Sequence, residues 1–238
     1  MKTKALIRTD NKEMHLRGRA GWLRAAVLGS DDAIVSTASL MIGVTASSAS
    51  QGAILVAGVA GLVAGAMSMA VGEYVSVSSQ RDAERADIQR ETRELTEQPK
   101  AELEELAMIY VKRGIEKDLA LKVAEQLSAH DRLGAHLRDE LRIDQTSLAR
   151  PMQAAWISAA SFASFAVIPI VALVVAPASL RIPVIAALSL VSLAALGAFG
   201  GHLGGAPLGR ASLRVTLGGA LAMAVTAVIG RILGVSVV

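Results

Sequence analysis

Glutamates occur in pairs, three residues apart, on both sides of a proline, and this spacing can bind a cation. Glu91 and Glu94 precede Pro99, and Glu102 and Glu105 follow it. Residues three apart project from the same face of a helix. Two helices folded back on each other at the proline would therefore bring four carboxylates together.

His136 and Glu140, four residues apart, could complete this cluster from a later helix. Carboxylates with an occasional imidazole suit Fe²⁺, Mn²⁺ and similar divalent ions. The same glutamates could instead form a solvated acidic helix face, balanced by Arg90, Arg93 and Lys100. The spacing alone leaves both interpretations open, because such glutamate pairs are also typical of exposed helices.

Three further acids interrupt apolar stretches: Asp31, Asp32 and Glu73. A charge at the centre of a bilayer costs from about 3 to more than 10 kcal/mol, so such acids usually serve a function. Adjacent aspartates project about 100° apart on a helix, so one of them should face a hydrated cavity or a bound cation. They could alternatively sit at the membrane interface. Met69 shares a helix face with Glu73 and is either a packing residue or a weak thioether ligand.

The elements that carry these residues are predominantly apolar helices. Hydrophobic residues make up 53% of the 238-residue chain, and the mean hydropathy is +0.47. About 20 apolar residues suffice for a helix to span a bilayer. Five stretches qualify: Ala25–Ala46, Ala53–Val77, Pro151–Val175, Pro183–Leu203 and Ala211–Leu233. We therefore expect an all-α membrane protein with five transmembrane helices. The absence of cysteine excludes disulfides, thiolate metal sites and a cysteine nucleophile.

Close helix packing within these spans is predicted from their glycines, since small residues let helices approach in lipid. The glycines in question are Gly58, Gly61, Gly65 and Gly72 in the second span, and Gly218 and Gly219 in the fifth.

The charged residues divide the chain into four regions. Sixteen of the 21 acids lie in residues 78–150, whereas residues 151–238 contain no acid. We expect a basic cytoplasmic N-terminal segment (residues 1–24), transmembrane helices one and two (25–77), a cytoplasmic metal-binding insert (78–150), and helices three to five (151–238). The distribution of Lys and Arg places the C-terminus outside. Because the charges are segregated in this way, we expect no nucleic-acid partner.

The insert is predicted to be a small helical bundle between spans two and three. Span two continues as a helix through Ser78–Gln98, Pro99 begins the next helix, and Gly114 ends it. Two more helices follow, at about Lys117–Ala129 and Asp131–Arg142. The apolar residues of these helices recur at helical spacing and mark their inner faces: Leu103, Leu106, Ala107, Tyr110, Leu119, Val123, Leu127, Leu133, Leu137 and Leu141.

Three segments together resemble the vacuolar iron transporter (VIT/CCC1) family. They are GSDDAIVSTASLMIGV in span one, AGLVAGAMSMAVGEYVSVSSQRD in span two, and AHLRDEL at the end of the insert. The similarity extends over nearly the whole chain from Gly21 onward, and the chain resembles a bacterial-type member. The family resemblance implies a homodimer in the inner (plasma) membrane, with its ion path at the two-fold axis. It further implies export of Fe²⁺ or Mn²⁺ from the cytoplasm in exchange for protons.

The resemblance also implies roles for individual residues. Asp31 and Met69 would line the ion path, with Asp32 beside them and Glu73 as a proton carrier. The insert acids would collect metal: Glu91, Glu94, Glu102, Glu105 and Glu140, with His136 where eukaryotic members carry methionine. Gly61 stands where those members carry a further path glutamate, and Asp32 stands where the motif usually has glycine. No permanently bound cofactor is implied.

The alternative is a membrane-anchored, ferritin-like iron oxidase or storage protein that uses the insert carboxylates as a di-iron site. Such sites usually contain Glu-x-x-His pairs, whereas the pairs here are Glu-x-x-Glu. Neither Asp31 nor Met69 would have a function in an oxidase. We therefore favour a transporter without catalytic residues over an enzyme.

Overall fold

The computed structural model describes residues 20–143 and 149–236. Within those two ranges every long element is an α-helix and no strand occurs. Most of the predicted N-terminal segment, residues 1–19, lies outside the described residues. The helices are α1 (Ala20–Ala46), α2 (Gln51–Glu97), α3 (Pro99–Lys112), α4 (Lys117–Asp139), α5 (Pro151–Val175), α6 (Arg181–Leu203) and α7 (Leu208–Ser236), and a short 3-10 turn at Ala178–Leu180 precedes α6.

Five segments of the described chain are long and apolar enough to cross a membrane. Their bounds agree with the predicted spans to within a few residues, apart from the polar extension of the second: Ala25–Ala46, Gln51–Glu97, Pro151–Val175, Ala178–Leu203 and Leu208–Gly234. Their length and composition confirm an all-α integral membrane protein with five transmembrane helices.

Helix α2 is much longer than a bilayer is thick. Its 47 residues rise about 70 Å, against about 30 Å for the hydrocarbon layer. The apolar part is Ala53–Val77, so the polar residues from Ser78 onward extend beyond the apolar layer. The helix ends where Gln98 leaves helical geometry (φ −131°, ψ 50°) and Pro99 begins α3. The predicted continuous helix and its end are therefore both present.

The described residues divide into two compact units. The first unit comprises residues up to Gly65 and from Ala160 onward, and the second comprises Ala66–Ala159. In the first unit, α1, α6 and α7 pack against one another around an apolar core. Its largest members are Ile34, Met41, Ile42, Ile54, Leu173, Ile185 and Leu193.

Glycines allow α7 to approach both of its neighbours in the first unit. A Cβ at Gly230 would collide with the main-chain carbonyl of Gly43, so α7 and α1 touch backbone to backbone there. A Cβ at Gly197 would likewise meet the main chain of Ser212, where α6 crosses α7. Lipid supplies no hydrophobic drive between helices, so close contact of this kind is a main source of their association.

In the second unit, α3 and α4 pack around a small core of Leu106, Ala107, Ala124 and Ala135. Helix α4 is bent at Asp131, whose backbone is non-helical (φ −155°, ψ 88°). The Asp131 carboxylate accepts the Gly134 N–H at 3.0 Å and thereby caps the second half of the helix. This bend falls where the sequence predicts one helix to end and the next to begin.

One residue of the predicted apolar stripe is not on an inner face. Leu119 is 55% exposed, whereas the neighbouring Ala120 and Ala124 are fully buried. Before the bend at Asp131, the buried face of α4 is therefore made of alanines, whose small side chains let α3 and α4 approach each other closely.

The close contact of α1 and α7 can be tested with one methyl group. Gly230→Ala should lower the free energy of unfolding by about 1–3 kcal/mol, because the added Cβ has no flexible neighbour to displace. Gly218→Ala, on the same helix, is the matched control because nothing lies within 4 Å of its Cβ position. Denaturant unfolding of both variants in detergent measures the difference. Equal stabilities would contradict the described packing of α1 and α7.

Candidate metal centre

Four side chains of the second unit meet in one cluster. Glu91 comes from α2, Glu102 from α3 and His136 from α4, and Glu140 is the residue directly after α4. One donor atom of each lies within 4.8 Å of the corresponding atom of the others. The chain reversal at Pro99 brings Glu91 and Glu102 together, and the one-turn spacing of His136 and Glu140 directs both toward them.

The His136 imidazole lies at the centre of these carboxylates. Its ring is fully buried, and Nδ1 lies 2.9 Å from Glu91 Oε1 and 3.8 Å from Glu102 Oε2. A hydrogen bond of 3.1 Å joins Nδ1 to Glu140 Oε2. Nδ1 therefore contacts three acidic side chains at once.

Two atoms of the cluster have no hydrogen-bond partner. Glu91 Oε1 is close to the imidazole but is not aligned with it as a hydrogen bond, and His136 Nε2 is buried without a partner. Glu91 is only 3% exposed, so this oxygen is withdrawn from solvent. A buried carboxylate oxygen without a donor is unfavourable, and a bound cation would remove that cost.

The cluster opens into an acidic cavity of about 420 Å³. Glu94 and Glu105 line this cavity but do not belong to the close group of four. The Glu140 side chain is 25% exposed, which leaves the cluster accessible from the cavity. The lining residues are Asp87, Arg90, Glu91, Glu94, Gln98, Ala101, Glu102, Glu105, Glu140 and Leu141. The six predicted ligands thus fall into a central four and two outer carboxylates.

The electrostatics of the cluster favour the binding of positive charge. Glu91 and Glu102 both follow the apolar part of α2 in the sequence, outside the five apolar spans. Burial, followed by the charge of Glu140, raises the pKa of Glu91 from 4.5 to about 7. Burial, followed by the charge of Glu105, also raises the pKa of Glu102. The protein therefore holds these carboxyls where their ionised forms repel one another, and a divalent ion would relieve that repulsion.

A hydrogen-bond network that the sequence did not predict supports the end of α4. The Tyr110 hydroxyl donates to Asp139 Oδ2 at 2.8 Å, and Arg113 donates to Asp139 Oδ1 at 3.2 Å. The Arg113 guanidinium also lies over the Tyr110 ring, 5.2 Å from its centroid. Asp139 precedes Glu140, so the network fixes the backbone that carries this ligand. Its only sequence signal is that Tyr110 and Arg113 are three residues apart on one helix face.

Asp31 and Asp32 differ in their surroundings within the first unit. Asp31 Oδ1 is buried without a hydrogen-bond partner, and Asp31 lines a cavity of about 490 Å³ between α1, α6 and α7. Arg214 lines the same cavity and was not singled out from the sequence. Asp32, by contrast, is exposed. Of the two aspartates, Asp31 has the surroundings expected of an acid that interacts with a cation.

The other two predicted path residues lie on α2 within the second unit. The side chain of Glu73 is buried, with 9% exposed, and that of Met69 is half-buried. Neither residue belongs to the four-residue cluster. Their roles in transport stay predictions.

Five membrane-length helices and an acid–imidazole cluster beyond the apolar layer define an integral membrane protein with a candidate divalent-cation site. A model of the VIT family matches residues 23–231, so the chain belongs to this family. The vacuolar iron transporter of Acanthamoeba castellanii is 49% identical over 214 residues, which is 90% of this chain and 79% of the relative.

Two plant proteins are also similar to this chain over most of its length. Vacuolar iron transporter homolog 2 of Oryza sativa subsp. japonica is 39% identical over 90% of this chain and 92% of its own length. Vacuolar iron transporter homolog 2 of Arabidopsis thaliana is 37% identical over 91% of this chain and 86% of its own length. The similarity therefore extends over most of each relative.

The raised pKa values of the cluster predict how the stability of the metal-free protein depends on pH. Folded Glu91 holds its proton up to about pH 7, whereas the unfolded chain releases it near 4.5, so the free energy of unfolding falls as the pH rises between these values. Thermal unfolding in EDTA should occur at a lower temperature at about pH 8 than at about pH 5.

Two variants show whether the cluster causes this dependence. Glu91→Gln should reduce the loss of stability toward high pH, because it removes one of the repelling charges. Glu125→Gln, which alters an exposed acid on α4, should leave the pH dependence unchanged. Identical pH profiles for Glu91→Gln and the parent protein would contradict the electrostatic description of the cluster.

Proposed function

We propose that this chain transports divalent transition-metal ions out of the cytoplasm in exchange for protons, with Fe²⁺ as its main cargo and Mn²⁺ as a second one. One observation carries the proposal: in a chain with five membrane-length helices, three carboxylates surround the buried imidazole of His136. Membership of the VIT family supports it, as do relatives named vacuolar iron transporter.

In this proposal the insert collects ions before they enter the membrane. The outer carboxylates of Glu94 and Glu105 attract hydrated cations into the cavity, and the buried cluster of Glu91, Glu102, His136 and Glu140 replaces part of the hydration shell. Binding is favourable because each cation cancels repulsion that the empty cluster retains. The site thereby raises the local ion concentration beside the membrane.

Asp31 and Met69 are proposed to form the path within the membrane, with Asp32 and Glu73 as further polar positions. The unpartnered Asp31 Oδ1 supports this role, since a buried carboxylate oxygen can coordinate a partly dehydrated cation. A proton arriving from outside would neutralise Asp31 and release the ion, because a protonated carboxyl is a poor ligand. Glu73 would carry further protons.

A homodimer, with the path at its two-fold axis, is the proposed assembly. Large apolar side chains are exposed along one side of the first part of α2: Val56, Val59 and Val63. Their spacing of three and four residues makes a stripe that a second copy of the helix could cover. The proposed orientation places the N-terminus and the insert in the cytoplasm of a bacterial cell and the C-terminus outside, in agreement with the distribution of Lys and Arg.

The oxidase alternative receives less support from the cluster. The four donor atoms lie within 4.8 Å of one another, which suits a single ion better than the two ions of a di-iron site. Iron-dependent oxygen consumption by the full-length protein would favour the oxidase over the transporter.

Transport through Asp31 can be measured in proteoliposomes. Asp31→Ala should abolish Fe²⁺ flux while the protein stays folded, because the path loses its buried carboxylate. Asp118→Ala, at an exposed position on α4, should transport normally. Comparing flux with and without a pH gradient, for Fe²⁺, Mn²⁺, Co²⁺ and Zn²⁺, tests the proton exchange. Normal Fe²⁺ uptake by Asp31→Ala would refute the assigned path. A flux that does not depend on the pH gradient would refute the exchange for protons.

A further inference from the structure

The cavity between α1, α6 and α7 has the size and the lining of a ligand site. Its volume of about 490 Å³ falls within the range of about 300–1,000 Å³ that is usual for small-molecule sites. Its walls are mostly apolar, and the wall from α6 contains four glycines: Gly197, Gly200, Gly201 and Gly204. Sites of this kind bind an apolar body and orient it with a few polar groups.

Two side chains of opposite charge supply the polar groups of this cavity. Asp31 and Arg214 are the only charged side chains among the described residues that line it. Asp31 Oδ1 is buried without a hydrogen-bond partner, and within the described residues no ion pair joins Asp31 to Arg214. A buried carboxylate oxygen without a donor is unfavourable, so a ligand that donates to it would be stabilised. The cavity therefore suits a ligand that carries a cationic and an anionic group.

Both charges lie near the same surface of the membrane. Asp31 lies six residues after Ala25, where the first span begins, and Arg214 lies six residues after Leu208, where the fifth span begins. Six residues of helix rise about 9 Å. Successive spans alternate in direction, so the first and the fifth begin at the same surface. The cavity therefore lies close to the level of the phospholipid headgroups on that side.

An exposed apolar stripe continues from Arg214 along α7. It consists of Leu217, Leu221, Val225 and Val228, which are all exposed. These residues follow Arg214 at steps of three or four, so they share its helix face. The fourteen residues from Arg214 to Val228 rise about 21 Å, which exceeds the depth of about 15 Å of one lipid leaflet. This α7 stripe can therefore accompany an acyl chain over its whole length.

We propose that the cavity binds a phospholipid whose headgroup carries a primary ammonium group, with the ammonium at Asp31, the phosphate at Arg214 and an acyl chain along the α7 stripe. The ammonium supplies the donor that Asp31 Oδ1 lacks, and a guanidinium binds phosphate through paired N–H groups. A choline headgroup has no N–H to donate to Asp31, and an anionic headgroup leaves this carboxylate without a positive partner.

The inference does not depend on which ion the protein transports. Asp31 is also part of the proposed ion path, so lipid binding is measured without metal. Native mass spectrometry of the full-length protein in detergent would compare phosphatidylethanolamine, phosphatidylcholine and phosphatidylglycerol with identical acyl chains. The variants are Asp31→Asn and Arg214→Gln. Arg210→Gln is the matched control, because Arg210 is exposed on α7 and does not line the cavity.

The parent protein should bind one phosphatidylethanolamine per chain, about tenfold or more tightly than either other lipid, because a hydrogen bond between charged groups is lost with each of them. Asp31→Asn should weaken phosphatidylethanolamine to the level of phosphatidylcholine and leave phosphatidylcholine unchanged. Arg214→Gln should weaken phosphatidylethanolamine by about tenfold, and Arg210→Gln should match the parent protein.

Equal affinities for the three lipids, or unchanged binding of phosphatidylethanolamine by Asp31→Asn or Arg214→Gln, would overturn the proposal. Tightest binding of phosphatidylglycerol would show a basic surface for anionic lipids instead. Water-soluble phosphoethanolamine tests the acyl chain, since equally tight binding of this headgroup alone would mean that no lipid is required.

A second measurement needs no variant. Phosphatidylethanolamine with a photoreactive group in its acyl chain should label the α7 stripe of the parent protein. An excess of unlabelled phosphatidylethanolamine should prevent this labelling, whereas phosphatidylcholine should not. Labelling that spares residues 214–228, or that both competitors reduce equally, would contradict the proposed site. This result stands even if Asp31→Asn or Arg214→Gln does not fold.

Discussion

The second unit must hold several carboxylates around one imidazole against their mutual repulsion, and this constraint shapes the rest of the unit. Glu91, Glu102 and Glu140 surround one imidazole with an excess of negative charge, and burial strengthens their repulsion because solvent no longer screens it. The surrounding helices must hold the carboxylates together despite this cost. Three local features hold them in place: the chain reversal at Pro99, the helix cap at Asp131 and the hydrogen bonds to Asp139. A bound cation would relieve this repulsion, as the proton held by Glu91 does in the metal-free protein.

The first unit is stabilised differently, because moving its apolar side chains from lipid into the protein interior gives no hydrophobic free energy. Its helices associate where glycines remove side chains from the contact, as between Gly43 and Gly230. The same tight packing isolates the few polar atoms inside. Asp31 Oδ1 lies in this setting without a donor, beside a cavity that Arg214 also lines. This unpartnered buried acid supports the ion path that we propose for the first unit.

Local signals in the sequence predicted most of the fold. Apolar length located the five spans, and Pro99 and Gly114 located two breaks in the insert, because proline and glycine act within one turn of a helix. The spacing of the glutamates allowed a cluster without requiring it. It also did not separate Glu91 and Glu102 from the outer Glu94 and Glu105, since spacing does not fix how two helices are rotated about their axes. Long-range pairs such as Tyr110–Asp139 and Gly43–Gly230 leave no local trace. The exposure of Leu119 escaped prediction for the same reason, because periodicity cannot tell which of two adjacent stripes faces a neighbour.

The unbroken course of α2 has a mechanical consequence. Glu73 and Glu91 are eighteen residues apart on this helix, which is about five full turns and a rise of about 27 Å. Both side chains therefore project in the same direction, and both are buried. No proline or other helix break separates them, so a rod of hydrogen-bonded backbone joins the two acids. A rotation of α2 at Glu91 would therefore be carried along the helical backbone toward Glu73.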